Sequence, residues 1–242
     1  MIPTSNAVLF TPEVPVHLAR HQRNFCLAVA LVAAIALLAM LVRLPARAAA
    51  PAGARATVSD ETRAQIIRDF RRTGLNTTPE DAMLLRVMIA ARSARRGVEV
   101  GSATGYGAIN MGVAFERNGG RLYTLEIDPA MARATRANIE KMGLQETVTV
   151  VEGDALVTMP KLEGEFDFVF IDAHKPDYLK YLKAIEPKLK VGAVVVSDNV
   201  IASANQMRDF LDYIHNSGVY ETVTVRASDE KKDGMAISVK LR

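Results

Sequence analysis

The sequence predicts an α/β protein with a doubly wound sheet: mostly parallel strands, helices on both faces, and an antiparallel hairpin at the C-terminal end. Three observations carry that expectation. Five short runs of apolar β-formers, "GVEV", "RLYTLEI", "VTVVEG", "FDFVFID" and "GAVVVSD", alternate with helical stretches, the pattern of a parallel sheet buried between helices. Two final strand candidates, "YETVTVRA" and "MAISVKL", are joined by the polar turn "SDEKKDG" and read as a hairpin. The chain of 242 residues is 49% apolar, enough for one substantial core with an appendage.

In chain order, a helix is expected over about 60–73 and a second from Pro79, with Thr78 as its N-cap and proline at the first helical position. The strands at 97–100, 121–127, 148–153, 166–172 and 192–198 are separated by helical stretches near 105–117, 129–142, 155–160 and 176–189. A last helix near 203–217 precedes the hairpin, and no internal repeat is present. Met83, Met88, Met111 and Met142 are expected to fill the core.

The appendage is N-terminal. Residues 1–23 form a tail, 24–42 a membrane anchor or signal segment, 43–58 a linker rich in Ala with Pro51 and Gly53, and 59–242 the globular domain. Phe25 to Val42 are 18 consecutive apolar residues, the lower end of what spans a bilayer as a helix. Arg20, His21 and Arg23 precede the run and Arg43, Arg47 and Arg55 follow it, so charge does not set an orientation. A retained anchor is the expectation. The alternative is a signal cleaved in "LPARAAAPAGA", which offers small-residue sites.

A formal charge of +3 and a pI near 9.0, with acids and bases interleaved, give no concentrated nucleic-acid footprint. The single cysteine, Cys26, excludes an internal disulfide and a cysteine-based zinc site.

In doubly wound sheets, ligands bind beyond the carboxyl ends of the strands. Here those ends carry Glu99 with Gly101, Glu126 with Asp128, Asp154, Asp172, and Asp198 with Asn199, so five strands bring acids to one rim. "VEVGSATGYG" sets Gly101 and Gly105 between a strand and a helix, where the backbone can approach a ligand closely. Neither the dinucleotide G-x-G-x-x-G nor a P-loop is present. Glu126 ends the next strand, where an acid can accept hydrogen bonds from both ribose hydroxyls. Acids at Glu99 and Glu126 without a phosphate loop suit a cationic nucleoside, and S-adenosylmethionine meets that description.

"VEVGSATGYG", "LEID", "VEGDA", "FIDAHKPDY" and "VVSDNVI", in this order, resemble the metal-dependent class I O-methyltransferases that include catechol and caffeoyl-CoA O-methyltransferases. The resemblance covers about residues 60–242 and implies a Rossmann-like methyltransferase sheet. It implies that Thr78, Glu99, Gly101 and Gly107 lie at the methionine end of the cofactor, Glu126 at the ribose, and Asp154 and Ala155 at the adenine, with Asp172 also near the cofactor. The family's "GYS" is "GYG" here, so Gly107 offers only its N–H. After "DNV" the chain reads "IASANQM", which leaves Ser203 as the polar residue on the acceptor side. The family's Glu before the final Asp-Gly has no clean match in "RASDEKKDG", which offers Asp229 and Glu230.

Asp172, Asp198 and Asn199 come from strand ends expected to be neighbours, and they present only oxygen ligands. Such a set suits Mg²⁺ first, with Mn²⁺ or Ca²⁺ as alternatives. A hydroxyl beside that cation becomes more acidic, and Lys175 is placed to take its proton as the catalytic base if the cation depresses the lysine pKa. His174 has no second His or Cys close by and is read as a loop residue, while Asp177 and Tyr178 start the following helix. The expected activity is methyl transfer from S-adenosylmethionine to a hydroxyl of a small aromatic vicinal diol. Two rivals are methylation of a hydroxylated tRNA nucleoside and a membrane-tethered cofactor-binding module without turnover. S-adenosylmethionine is made in the cytosol, so an anchored enzyme is expected to face it there, with export after signal cleavage as the alternative. The resemblance leaves a homodimer open.

Overall fold

A computed structural model of the protein describes residues 58–242. The tail, the apolar run 24–42 and most of the linker lie outside the described residues, and so do the expectations attached to them. Among the described residues, no helix is long and apolar enough to cross a membrane.

Two helices come first, α1 (Asp60–Arg68) and α2 (Pro79–Arg92). Strands and helices then alternate: β1 (Arg96–Val100), α3 (Tyr106–Arg117), β2 (Arg121–Glu126), α4 (Pro129–Lys141), β3 (Val148–Glu152), α5 (Ala155–Thr158), β4 (Phe166–Ile171), α6 (Tyr178–Ile185) and β5 (Leu189–Ser197). The chain closes with α7 (Arg208–Asn216), β6 (Tyr220–Val225) and β7 (Met235–Lys240). All seven strands form one sheet in the order β3-β2-β1-β4-β5-β7-β6. The first five are parallel, and β7 runs antiparallel between β5 and β6. The hairpin therefore adds two strands, the outer of them β6.

Strand β4 shows why the sheet is central: all six of its residues are buried, so alternate side chains serve opposite faces. Val169 and Ile171 enter the core under α6 and α7 with Tyr178, Leu182, Phe210 and Ile214. Phe168 and Phe170 enter the other core with Leu85 and Ile89 of α2 and Ile109 and Phe115 of α3. Each buried Phe contributes about 1.5–3 kcal/mol of hydrophobic stabilisation. Strand order reverses between β1 and β4, and the loops after these two strands open side by side.

Several boundaries differ from expectation for local reasons. Helix α1 stops at Arg68, and Phe70 turns away to pack on the Tyr106 ring at 5.0 Å. Pro187 converts the end of the 176–189 stretch into a 3₁₀ turn, and Met207, at φ −135° and ψ 34°, lies outside helical backbone and delays α7 to Arg208. Of the four methionines, Met111 and Met142 are fully buried and Met88 packs at the edge of the core. Met83 does not fill the core; it is 52% exposed on the outer face of α2.

Candidate functional site

The C-terminal ends of the strands border a cavity of about 660 Å³, within the usual range for a small-molecule site. One end is built by the loop after β1. Gly101 has φ +90°, and a Cβ there would fall 2.2 Å from the Asp172 carbonyl oxygen. Only glycine lets the loops after β1 and β4 pack this closely. Glu126, buried at the end of β2, then fastens the loop: its Oε2 accepts the N–H groups of Ser102 at 3.0 Å and Ala103 at 2.8 Å. Its Oε1 accepts the Asp128 N–H at 3.0 Å. These bonds hold Ala103 at φ 48°, a strained value for a residue with a Cβ. Glu126, Gly101, Asp154 and Ala155 all border the cavity, and Asp154 also caps α5 by accepting the Leu156 N–H at 2.8 Å.

Four expected contacts sit elsewhere. Thr78 is committed to capping α2, where its Oγ1 accepts the Asp81 N–H, and it does not line the cavity. Glu99 is buried behind the wall, accepting a hydrogen bond from Thr124 Oγ1. Burial raises the Glu99 pKa to about 8, against the opposing Thr124 hydrogen bond and with smaller help from the Asp172 and Glu126 charges. Burial thus favours its neutral form, and the carboxyl lies behind the cavity wall rather than on it. Gly107 also lies behind the wall, and a Cβ there would stand 2.5 Å from Glu99 Oε1. The glycine of "GYG" makes room for the buried carboxyl. Ser203 is spent on a turn whose backbone bonds run from its N–H to Asn199 O and from Gln206 N–H to its own O, and it too lies outside the cavity lining.

Asn76 was not anticipated. Its Oδ1 accepts from Thr73 N–H at 2.9 Å and Thr104 Oγ1 at 2.8 Å. Its Nδ2 is buried in the cavity wall without a partner, and the neighbouring Thr77 Oγ1 is unpartnered as well. Buried donors left unpaired are costly and rare, and Asn76 is a cavity-lining residue that carries one.

The other end of the cavity is acidic. Asp172, at the tip of β4, accepts a hydrogen bond from Lys175 Nζ at 2.9 Å. The same ammonium donates to the Tyr178 hydroxyl at 2.9 Å, and that hydroxyl donates to the Asp198 carbonyl at 3.1 Å. Asp198, at the tip of β5, is almost fully buried. Burial, then the nearby Asp172 charge, raise its pKa to about 6 against the pull of Lys231. Asn199 follows in the left-handed region at φ 60°, which asparagine tolerates, and its Nδ2 donates to Asp233 Oδ2 at 3.1 Å. His174 stays on the rim, largely exposed and paired with Asp177 at 2.9 Å.

Two residues of the hairpin turn complete this end, and neither was singled out by sequence reading. Asp233 accepts the N–H groups of Ile201, Ala202 and Gly234 at 2.8 to 3.0 Å, fixing the loop after β5. Its carboxyl is held below the usual range, because these bonds and Asn199 outweigh burial. Lys231 Nζ lies 2.8 Å and 2.5 Å from the two oxygens of Asp198 and 2.8 Å from Asp81 Oδ2. Burial pulls its pKa down, yet the two carboxylates carry it above the ordinary lysine value. The pair favours the ammonium more clearly than the Asp198 carboxylate, which Asp172 also repels.

Among the described residues, no group of three or more His, Cys, Asp or Glu forms a metal cluster; the candidate set here is two aspartates and an asparagine amide.

Residues 55–233 match the O-methyltransferase family. The chain belongs to that family. A catechol O-methyltransferase of Niastella koreensis is 30% identical over 182 residues, covering 68% of this chain and 82% of that one. A catechol O-methyltransferase of Mycobacterium tuberculosis is 37% identical over 123 residues, 50% of this chain and 56% of that one. Among solved structures, the O-methyltransferase TomG of Streptomyces achromogenes in complex with SAM superposes with a TM-score of 0.68 at 25% identity, over 77% of this chain and 92% of that one. This member of the family is therefore an enzyme, an S-adenosylmethionine-dependent O-methyltransferase, on a Rossmann-like methyltransferase sheet.

Proposed function

We propose that this O-methyltransferase methylates one hydroxyl of a small aromatic vicinal diol with the help of a divalent cation, most readily Mg²⁺. The observation that carries the reading is that one cavity has a backbone-fastened carboxylate, Glu126, at one end and the Asp172–Lys175–Asp198–Asn199 cluster at the other. The names of its catechol-directed relatives support the acceptor class.

The donor group set fits such a cation. Asn199 spends its amide nitrogen on Asp233, and its oxygen accepts no hydrogen bond from the described residues. Asp172 uses only Oδ1 on Lys175. Asp172, Asp198 and Asn199 would hold the ion, and all three are hard oxygen donors of the kind Mg²⁺, Mn²⁺ and Ca²⁺ take. When bound, the cation supplies positive charge that makes an adjacent hydroxyl more acidic. The cofactor brings a methyl sulfonium that is already electrophilic, which leaves the protein to align the two reactants.

Each end has its task. Glu126 would accept from the ribose hydroxyls without moving, since three backbone N–H groups hold it. Asn76, on the cavity wall with an unpartnered Nδ2, would donate to the methionine carboxylate once its side chain turns toward the cavity. Lys175 Nζ, on the cavity wall beside the Tyr178 hydroxyl, would take the acceptor's proton as the neutral amine, after giving up its own proton to solvent. Incubating the full-length protein with labelled S-adenosylmethionine, Mg²⁺ and a panel of diols, with tRNA alongside, tests the reading. Label on a diol is expected. Label on tRNA alone, lost as salt rises, would replace it with nucleoside methylation. We also propose that residues 24–42 anchor the enzyme with this domain in the cytosol; digestion of the domain by protease added to intact cells would overturn that topology.

A further inference from the structure

We propose that Lys231 is a tethered counter-ion for the metal position, one that must let go of Asp198 when a divalent cation binds there. The inference rests on the metal reading of Asp172, Asp198 and Asn199 given above. Lys231 Nζ meets both Asp198 oxygens, at 2.8 and 2.5 Å, so the ammonium covers the carboxylate rather than touching one corner of it. A divalent ion binds carboxylate oxygens at about 2.0–2.6 Å. It would compete for the same lone pairs and repel the ammonium across a few ångströms of largely buried space. The two cations therefore exclude one another at Asp198.

The lysine has somewhere to stay. Its ammonium is also 2.8 Å from Asp81 Oδ2, in the first turn of α2, and Asp81 is buried with no well-aligned hydrogen bond to that oxygen. Leaving Asp81 alone would strand a buried charge, which is strongly destabilising. Keeping Asp81 while releasing Asp198 avoids that. The rest of the hairpin turn is compatible with such a split. Glu230 pairs with Arg72 at 2.7 Å and Ser228 donates to Glu80 at 3.1 Å, tying the turn to the segment before α2 and to its first turn. Asp233 independently fixes the loop that carries Asn199. Releasing Asp198 thus disturbs neither attachment. Without metal, the ammonium neutralises a site where Asp81 and Asp198 face each other across it, so the ligand geometry is set before the metal arrives.

The test is Mn²⁺ binding to the full-length wild type and to Lys231→Met, by calorimetry and by loss of the free-ion paramagnetic resonance signal. Lys231→Met is expected to bind at least tenfold more tightly, about 1.4 kcal/mol. A variant detectably binding where the wild type does not would support the proposal equally. Equal or weaker binding in Lys231→Met, with the wild type still binding, would overturn this inference alone. Binding by neither would remove the metal reading and this inference with it. Because Lys231→Met strands Asp81, the paired variant Asp81→Asn with Lys231→Met is measured in parallel. In the wild type, acylation of Lys231 followed by mass spectrometry should quicken several-fold on adding saturating Mn²⁺. An unchanged rate would contradict its release.

Discussion

The two ends of the cavity hold their carboxylates by different means. At the β2 end, Glu126 is satisfied by backbone N–H groups of Ser102, Ala103 and Asp128, which cannot leave without unfolding the loop. At the β4–β5 end, backbone N–H groups fix Asp233 behind the site, and Asp198 accepts that of Asn199, but the cavity-lining Asp172 and Asp198 also face ammonium groups on flexible side chains, Lys175 and Lys231. Backbone donors make a rigid recognition surface, whereas lysines make an exchangeable one. The difference suits a site in which one partner is only bound while the other exchanges protons and cations.

The contrast is broken most severely at Lys175. Lys175→Met should lower kcat by about 10²- to 10⁴-fold, the usual range for a positioned base, with little change in cofactor affinity. Stopped turnover measurements beside calorimetry separate the two, and a matching loss of cofactor binding would place Lys175 in the rigid half. Asp198→Ala should likewise remove turnover, with excess Mg²⁺ restoring at most part of it.

Glu126→Ala should act the other way round. Losing a charged acceptor costs about 1.5–3 kcal/mol, roughly 10- to 150-fold in cofactor dissociation constant. An unchanged constant would mean that Glu126 only braces the loop. Gly101→Ala tests the bracing itself: a Cβ 2.2 Å from Asp172 O at φ +90° should destabilise the fold by about 1–3 kcal/mol, read as a lowered midpoint in urea.

The smallest effect concerns Glu99. Its folded pKa, about 8, lies above the 4.5 of an ordinary glutamate, so the folded state keeps a proton that the unfolded chain releases. Stability should therefore fall as pH rises between these two values, and Glu99→Gln should flatten that slope while leaving stability near pH 5 unchanged. A slope identical in both proteins would show that Glu99 is ionised in the fold.

What could be read from the sequence follows the same division. Strand ends are local features, so Glu126, Asp172, Asp198 and Asn199 were legible from apolar runs that stop at an acid or amide. Adjacency of β4 and β5 then brought the last three to one end of the cavity. Lys231 was illegible because its partners, Asp81 and Asp198, lie in distant segments, and a charged turn ordinarily reads as solvated surface. Asn76 was missed for a similar reason: only the packed structure reveals that its amide nitrogen lacks a partner. Thr78 was legible as the N-cap of α2, a local signature that its Oγ1 fulfils by accepting the Asp81 N–H.

Metal dependence of methyl transfer is the most direct measurement. The full-length enzyme, supplied with labelled S-adenosylmethionine and an accepted diol, should lose turnover in EDTA, regain it on adding Mg²⁺, and bind cofactor with similar affinity throughout. Full turnover in EDTA would contradict the cation at Asp172, Asp198 and Asn199 and leave Lys175 to activate the hydroxyl unaided.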